Sequence, residues 1–178
     1  MSIWDRLFGI EPAVEDSSQP SFRFGRYTDA YKSPANYVAW DEALTAFEEE
    51  DFSAAFAAFF RYLRDEEEDN VRSQREGDKL YFEFYQGSKR VTGFADNHQL
   101  RATARIVRLG AAPSSLLQRL TALNYELKYS RFAIDKERCL TIVFDTLLHD
   151  ASPHKLYHAL KEMALQADKQ DDLLLEEY

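Results

Sequence analysis

Between residues 34 and 63 apolar side chains recur at helical spacing. In SPANYVAWDEALTAFEEE, Val38 or Trp40, Leu44 and Phe47 fall on one face. In DFSAAFAAFFRYLRDEEED, Phe52, Phe56, Phe59, Phe60 and Leu63 stand at i, i+4, i+7, i+8 and i+11. Asp51 is placed to cap or break the chain between the two pieces, and the acidic run Glu66–Asp69 closes the apolar pattern. The pair looks like one tetratricopeptide unit, yet no second copy follows. Such arrays need at least about three repeats, which argues against a solenoid.

The period then changes to two. Asn70–Arg75 reads as a weak strand, Glu76-Gly77-Asp78 as a turn, and Lys79–Gln86 as a strong strand with Leu80, Phe82 and Phe84 alternating against Tyr81, Glu83 and Tyr85. Gly87-Ser88 turns the chain into Lys89–Ala95. After Asp96-Asn97, Gln99–Arg108 alternates Leu100, Ala102, Ala104 and Ile106 with Arg101, Thr103, Arg105 and Val107. One face is small and apolar while the other is basic and half wet, the pattern of an antiparallel meander lying on a core.

Pro113 opens a helix over Ser114–Leu123 with Leu116, Leu117, Leu120 and Leu123 turned inward, and Asn124 is suited to a left-handed stop. NYELKYSRFAIDKERCLTIVFDT reads as a hairpin whose side-chain phase slips near Ser130-Arg131, which predicts a bulge. Asp135–Arg138 turns, and Cys139–Thr146 returns with Leu140, Ile142 and Phe144 on one side. Ser152 caps the last helix and Pro153 occupies its first turn; Leu156, Tyr157, Leu160, Met163, Ala164 and Ala167 line its inner face. The whole is α+β: one antiparallel sheet with helices packed on it, in the order α-β-β-β-α-β-β-α with the first helix single or paired.

The opening MSIWDRLFGI places Ile3, Trp4, Leu7, Phe8 and Ile10 roughly on one helical face, and EPAVEDSSQP reads as a linker. Asp5 and the single Arg6 make a poor anionic-lipid anchor, so folding back onto the protein's own body is the preferred reading of this piece. The expected organisation is an N-terminal amphipathic segment and flexible linker over 1–34, followed by a single domain over 35–178.

Composition narrows the function. Of 178 residues 45% are hydrophobic and 14% aromatic, which suits a folded domain with a sizeable core. The formal charge of −9 disfavours nucleic acid as a partner. Cys139 is the single cysteine, so no internal disulfide or thiolate cluster forms, and a reducing cytoplasmic setting is expected. The longest apolar runs fall far short of the ~20 residues that cross a bilayer, so integral membrane association is not expected.

Candidate chemistry is sparse. His154 and His158 lie one turn apart, but no glutamate of an HExxH box stands between them and no third ligand is fixed by spacing. Surface histidines beside a cap are the simpler reading, and no metal or other cofactor is expected. Cys139 reads as a partly buried, inert thiol. No phosphate loop, nucleophile elbow or dinucleotide fingerprint occurs, and an enzyme is not expected. Arg101 and Arg105, with Lys89 and Arg90 nearby, could recruit an acidic group or serve as edge charges against aggregation.

The residues SSLLQRLTALNYELKYSRFAIDKERCLTIVFDT followed by SPHKLYHALKEMALQADKQDD resemble the type III secretion chaperone-like fold, and within it the YbjN-like (Tir-chaperone-like) bacterial proteins. A leucine-rich helix ends in an L-N-Y step, a Y-x-R-F strand and hairpin follow, and a Ser/Pro-capped helix completes the unit. The match covers residues 114–172, the element order agrees from about residue 50, and the first ~35 residues lie outside it. The resemblance implies a small acidic cytoplasmic protein, often dimeric, that works by binding another polypeptide.

The expected function is therefore a non-enzymatic protein-binding domain, a chaperone-like or regulatory adaptor and homodimer. Its contact candidates are Tyr125, Tyr129 and Phe132, since the hairpin carries more aromatic surface than one small core covers, with Arg101 and Arg105 beside them. The alternative is a regulatory domain whose arginines hold a small acidic ligand.

Overall fold

The computed structural model describes residues 31–65, 70–87, 89–110 and 112–177, with side chains as far as Gln170. The expectations for residues 1–30, the acidic run 66–69 and the side chains of Leu173–Leu175 lie outside these residues.

Two helices open the described chain, α1 (Pro34–Glu48) and α2 (Phe52–Leu63). Ser33 caps α1 through a capping box: Asn36 Oδ1 accepts from the Ser33 N–H at 2.8 Å while Ser33 Oγ accepts from the Asn36 N–H at 3.4 Å. The buried Asn36 amide then donates to the carbonyls of Arg61, Tyr62 and Arg64 at 3.3, 3.1 and 2.9 Å. Those carbonyls lie at and just past the end of α2, where helical partners run out, although that of Arg61 also accepts from the Arg64 N–H at 3.3 Å; one side chain thus caps two helices and stitches the start of α1 to the end of α2. Asp51 caps α2 as expected, accepting from the Ala54 N–H at 3.0 Å. Trp40, not Val38, turns inward; its ring lies 4.7 Å from Tyr62 and 6.4 Å from Phe59, while Val38 is exposed.

The sheet comprises β1 (Val71–Glu76), β2 (Lys79–Gln86), β3 (Lys89–Ala95), β4 (Gln99–Arg108), β5 (Arg131–Ile134) and β6 (Cys139–Leu147). Its order is β1-β2-β3-β4-β6-β5, and every pairing is antiparallel. Gly77 and Gly87 both take φ of +56°, which the tight β1–β2 and β2–β3 turns require and which glycine adopts without steric cost. Helix α3 (Ser114–Glu126) leads to β5, and a 3-10 turn (Leu148–Asp150) leads from β6 to α4 (Pro153–Glu177).

Helices pack on one face of this sheet. Phe56, Phe59, Phe60 and Leu63 of α2 are buried against the β1–β2 side, where Phe60 stacks on Phe82 with centroids 4.3 Å apart. Helix α4 crosses β4 and β6 with Leu156, Leu160, Met163, Ala164 and Ala167 buried. The small Ala102 and Ala104 beneath it let the helix approach the sheet closely. Leu116 and Leu120 of α3 join the same core. Burying each such large side chain is worth roughly 1.5–3 kcal/mol.

Two sequence expectations are corrected in the C-terminal half. Helix α3 does not stop at Asn124 but runs to Glu126, and its extended C-cap Leu127 has φ −70°. The hairpin is correspondingly shorter, because Leu127–Ser130 is a loop and the first strand begins only at Arg131. The phase slip is thus the seam between loop and strand. The register irregularity of this sheet lies instead in β4, between Arg105 and Val107.

Candidate interaction surface

With the helices on one face, the register fixes what the opposite, outer face carries. One row runs Gln74, Tyr81, Phe94, Arg101, Asp145 across five strands. Arg101 is exposed and makes no ion pair with any described side chain. Asp145, directly opposite it on β6, is ion-paired to Arg131 of β5. Arg105 is differently placed: its guanidinium reaches Asp135 at 3.2 Å and Glu137 at 3.1 Å, so it braces the β5–β6 turn. Both arginines stand on a central strand, β4, and so do not protect an edge. Edge charges belong to β1, where Arg72, Arg75 and Glu76 are exposed.

The β5–β6 turn is tightened further by Asp135, whose Oδ1 accepts from the N–H groups of Glu137 and Cys139 at 2.9 and 2.8 Å, while Arg138 takes φ of +62°. Donor atoms of Asp135, Glu137 and Cys139 come within 4.8 Å of one another. Because Arg105 neutralises both carboxylates and Asp135 is committed to backbone donors, this group works as a turn. Three of the four histidines stand edge-on to aromatic rings: His154 to Trp40 at 4.9 Å, His149 to Phe52 at 5.0 Å and His158 to Tyr157 at 5.6 Å.

The three aromatic candidates separate. Tyr125 is 93% exposed on the last turn of α3, and Tyr129 in the following loop is 37% exposed. Phe132 points the other way and is 5% exposed; it pairs with the buried Ile142 of β6 and its ring belongs to the core, whereas Ile134 at the end of β5 is 41% exposed. The structure thus leaves Tyr125 and Tyr129 at the surface and withdraws Phe132 from it. Leu117, read from sequence as an inward position, is 44% exposed. With Thr121 and Tyr125 it stands at i, i+4 and i+8, which lines up one outward stripe of α3.

Two residues without an obvious sequence signal hold this surface in place. Asn124 aligns its amide with the edge of β5, accepting from the Phe132 N–H at 2.7 Å and donating to the Phe132 carbonyl at 3.1 Å. It satisfies the outward backbone groups of that residue as an added strand would. Glu162 of α4 accepts from the N–H groups of Lys128, Tyr129 and Ser130 at 3.0, 3.0 and 2.9 Å, and from the Ser130 hydroxyl at 2.8 Å. Burial alone would raise this carboxyl, but the hydrogen bonds from Lys128, Ser130 and Tyr129 outweigh it and hold it below the ordinary carboxylate range. Asparagine after a leucine-rich helix reads locally as a stop; only the tertiary position of β5 reveals its other use.

Among the described residues no helix is long and apolar enough to cross a membrane. No protein-family model matches the chain, and no curated protein matches it. Among solved structures, a chain in the crystal structure of the ExsC-ExsE complex is similar at 16% sequence identity, covering 62% of this chain and 78% of that one, with a TM-score of 0.41.

Proposed function

We propose that this domain is a non-enzymatic, chaperone-like or regulatory adaptor that binds a polypeptide through the α3 stripe and the loop that follows it. The observation that carries this reading is Tyr125, 93% exposed, between Leu117 at 44% and Tyr129 at 37%. Tyr125 stands almost fully open to solvent and the other two keep part of their surface open, and aromatic residues of this kind favour interfaces. The loop beneath them is fixed by Glu162 and the adjoining strand by Asn124. A surface held in this way loses little conformational entropy on binding. Arg101, exposed on the outer face of β4, offers a cation to an acidic group elsewhere on the partner. Arg105, engaged with two carboxylates, serves by shaping the turn, and its engagement weighs against a pocket in which both arginines hold a small acidic ligand. In this reading the protein is cytoplasmic and bacterial, takes no cofactor, and is a homodimer.

The test compares the full chain with a Tyr125→Ser/Tyr129→Ser double variant. Light scattering reports the oligomeric state, and affinity capture from the native cytoplasm reports the partner. A polypeptide retained by the wild-type chain and lost from the folded double variant supports the proposal. Identical capture by both proteins, or a strict monomer that retains only a metabolite, refutes it.

A further inference from the structure

The sheet ends differently on its two sides. At one edge Asn124 occupies the outward N–H and carbonyl of Phe132 on β5. At the other, β1 pairs only with β2 among the described residues, and its residues 72–76 are all exposed. Which of its backbone groups face outward follows from the ladder. The Tyr85 N–H donates to the Asn70 carbonyl at 3.1 Å. In the alternation of an antiparallel pair, Arg72, Gln74 and Glu76 therefore direct their N–H and carbonyl groups to β2, and Ser73 and Arg75 point theirs away from the sheet. Those groups form a short open edge able to take another strand.

The side chains of this edge select the strand. β1 reads Val71-Arg72-Ser73-Gln74-Arg75-Glu76. A second copy laid antiparallel about a two-fold axis at Gln74 sets each copy's Arg72 opposite the other's Glu76, and Ser73 opposite Arg75. An Arg–Glu pair then crosses the seam on each side of the axis, where opposite charges on facing strands attract. Gln74 Nε2 lies 3.5 Å from Glu76 Oε1 on that same face. Arg75 is oriented within its own chain, donating to Ser53 Oγ at 2.5 Å and to the Gly77 carbonyl at 3.2 Å. Neighbouring registers fit worse. An axis at Arg75 puts the two Arg75 side chains face to face. An axis at Ser73 sets Glu76 against Asn70, which is buried and accepts from the Asp65 and Tyr85 N–H groups of its own chain. The mixed charges thus turn most strands away and favour one register of the same sequence.

We infer that β1 is the seam of a homodimer: two copies pair β1 with β1, Arg72 against Glu76, and join their sheets into one. This rests on the homodimeric reading of the proposed function and names the surface that forms it. The α3 stripe, beside β5 at the opposite edge, is left to the polypeptide.

Charge reversal in the full chain tests it by analytical ultracentrifugation, with circular dichroism confirming the fold. Arg72→Glu and Glu76→Arg each set like charges across the seam, and each is expected to weaken self-association severalfold. An equimolar mixture of the two variants, and the Arg72→Glu/Glu76→Arg double variant, again oppose unlike charges and are expected to regain wild-type association. Amide exchange at Ser73 and Arg75 is expected to slow as the wild-type concentration rises. A monomeric wild type overturns the inference, and so does association unmoved in both single variants, which places the dimer elsewhere. Loss in the single variants without recovery in the mixture also overturns it, because the charges then act within one chain. Polypeptide capture, read on the same variants, separates this inference from the proposed function. Capture retained by dissociated variants supports the assignment of the two edges to different partners. A variant that stays dimeric but drops the polypeptide shows that β1 holds that partner instead, and overturns it.

Discussion

Glu162 and Ser130 are joined by two hydrogen bonds, 2.9 Å from the Ser130 N–H and 2.8 Å from its hydroxyl. Thirty-two residues separate them in sequence, and Ser130 is buried. The same carboxylate takes the N–H groups of Lys128 and Tyr129, so α4 dictates the path of the loop that carries Tyr129. Removing the acceptor leaves these donors unpaired, Ser130 among them without access to water. Glu162→Ala is expected to lower stability by about 1–3 kcal/mol and to speed amide exchange at 128–130 before exchange in the sheet. Urea denaturation and hydrogen-exchange mass spectrometry check the two effects separately.

The same carboxylate gives a pH signature. The folded-state value of Glu162 is lowered, because its hydrogen bonds outweigh the effect of burial, whereas the unfolded chain titrates at the ordinary 4.5. A depressed folded pKa means that the stabilisation is fully present above the unfolded value and is lost as pH falls through the folded one. The stability difference between wild type and Glu162→Gln is therefore expected to be constant near neutrality and to shrink below 4.5. Denaturant midpoints of both proteins across that acid limb measure it. A difference that grows on acidification would contradict the assignment.

Asn124 makes a different prediction. Its amide occupies the outward N–H and carbonyl of Phe132 on the edge strand β5. Asn124→Ala vacates both, at a cost of about 1–2 kcal/mol, and opens a strand edge to other chains. Concentration-dependent association, read by light scattering, is expected to rise in the variant. Asn124→Asp keeps the acceptor for the N–H but loses the donor to the carbonyl, and should fall between.

These contacts mark where sequence reading works here and where it stops. Strands β2, β3 and β4 were legible to the residue because their period-two pattern sits between turn residues. Helix α4 was legible from Ser152, Pro153 and its apolar stripe; Ser152 Oγ accepts from the Lys155 N–H at 3.3 Å. The α3–β5 junction was not, because Leu127 and Tyr129 carry strand-like residue types in a loop whose backbone hydrogen bonds go to Glu162. Leu117 misled for a related reason: a leucine in a leucine-rich helix reads as core, and only the position of α3 at the sheet edge leaves it outside. For the candidate surface, the sequence grouped Tyr125, Tyr129 and Phe132 without telling outward from inward; the structure exposes the first two and buries the third. That distinction depends on where β5 starts.

Gly93 yields the last prediction, and it concerns the packing beneath the outer face. It lies opposite Phe82 in the β2–β3 register, on the core side of the sheet. A Cβ built there would approach the Phe82 ring to 2.2 Å and the Arg101 carbonyl to 2.4 Å. Phe82 covers the space a side chain would otherwise fill and is itself stacked on Phe60 of α2, so the ring has little freedom to retreat. Its backbone angle is not the constraint; contact with an aromatic ring is. Gly93→Ala is therefore expected to cost about 1–3 kcal/mol through overpacking, despite the gain in strand propensity that alanine brings. Phe82→Leu in the same chain removes the ring and should recover part of the loss. Thermal or urea unfolding of the two single variants and the double variant gives the coupling directly: a double variant no more stable than the sum of its parts would place the strain elsewhere, at the Arg101 carbonyl, where no side-chain exchange relieves it.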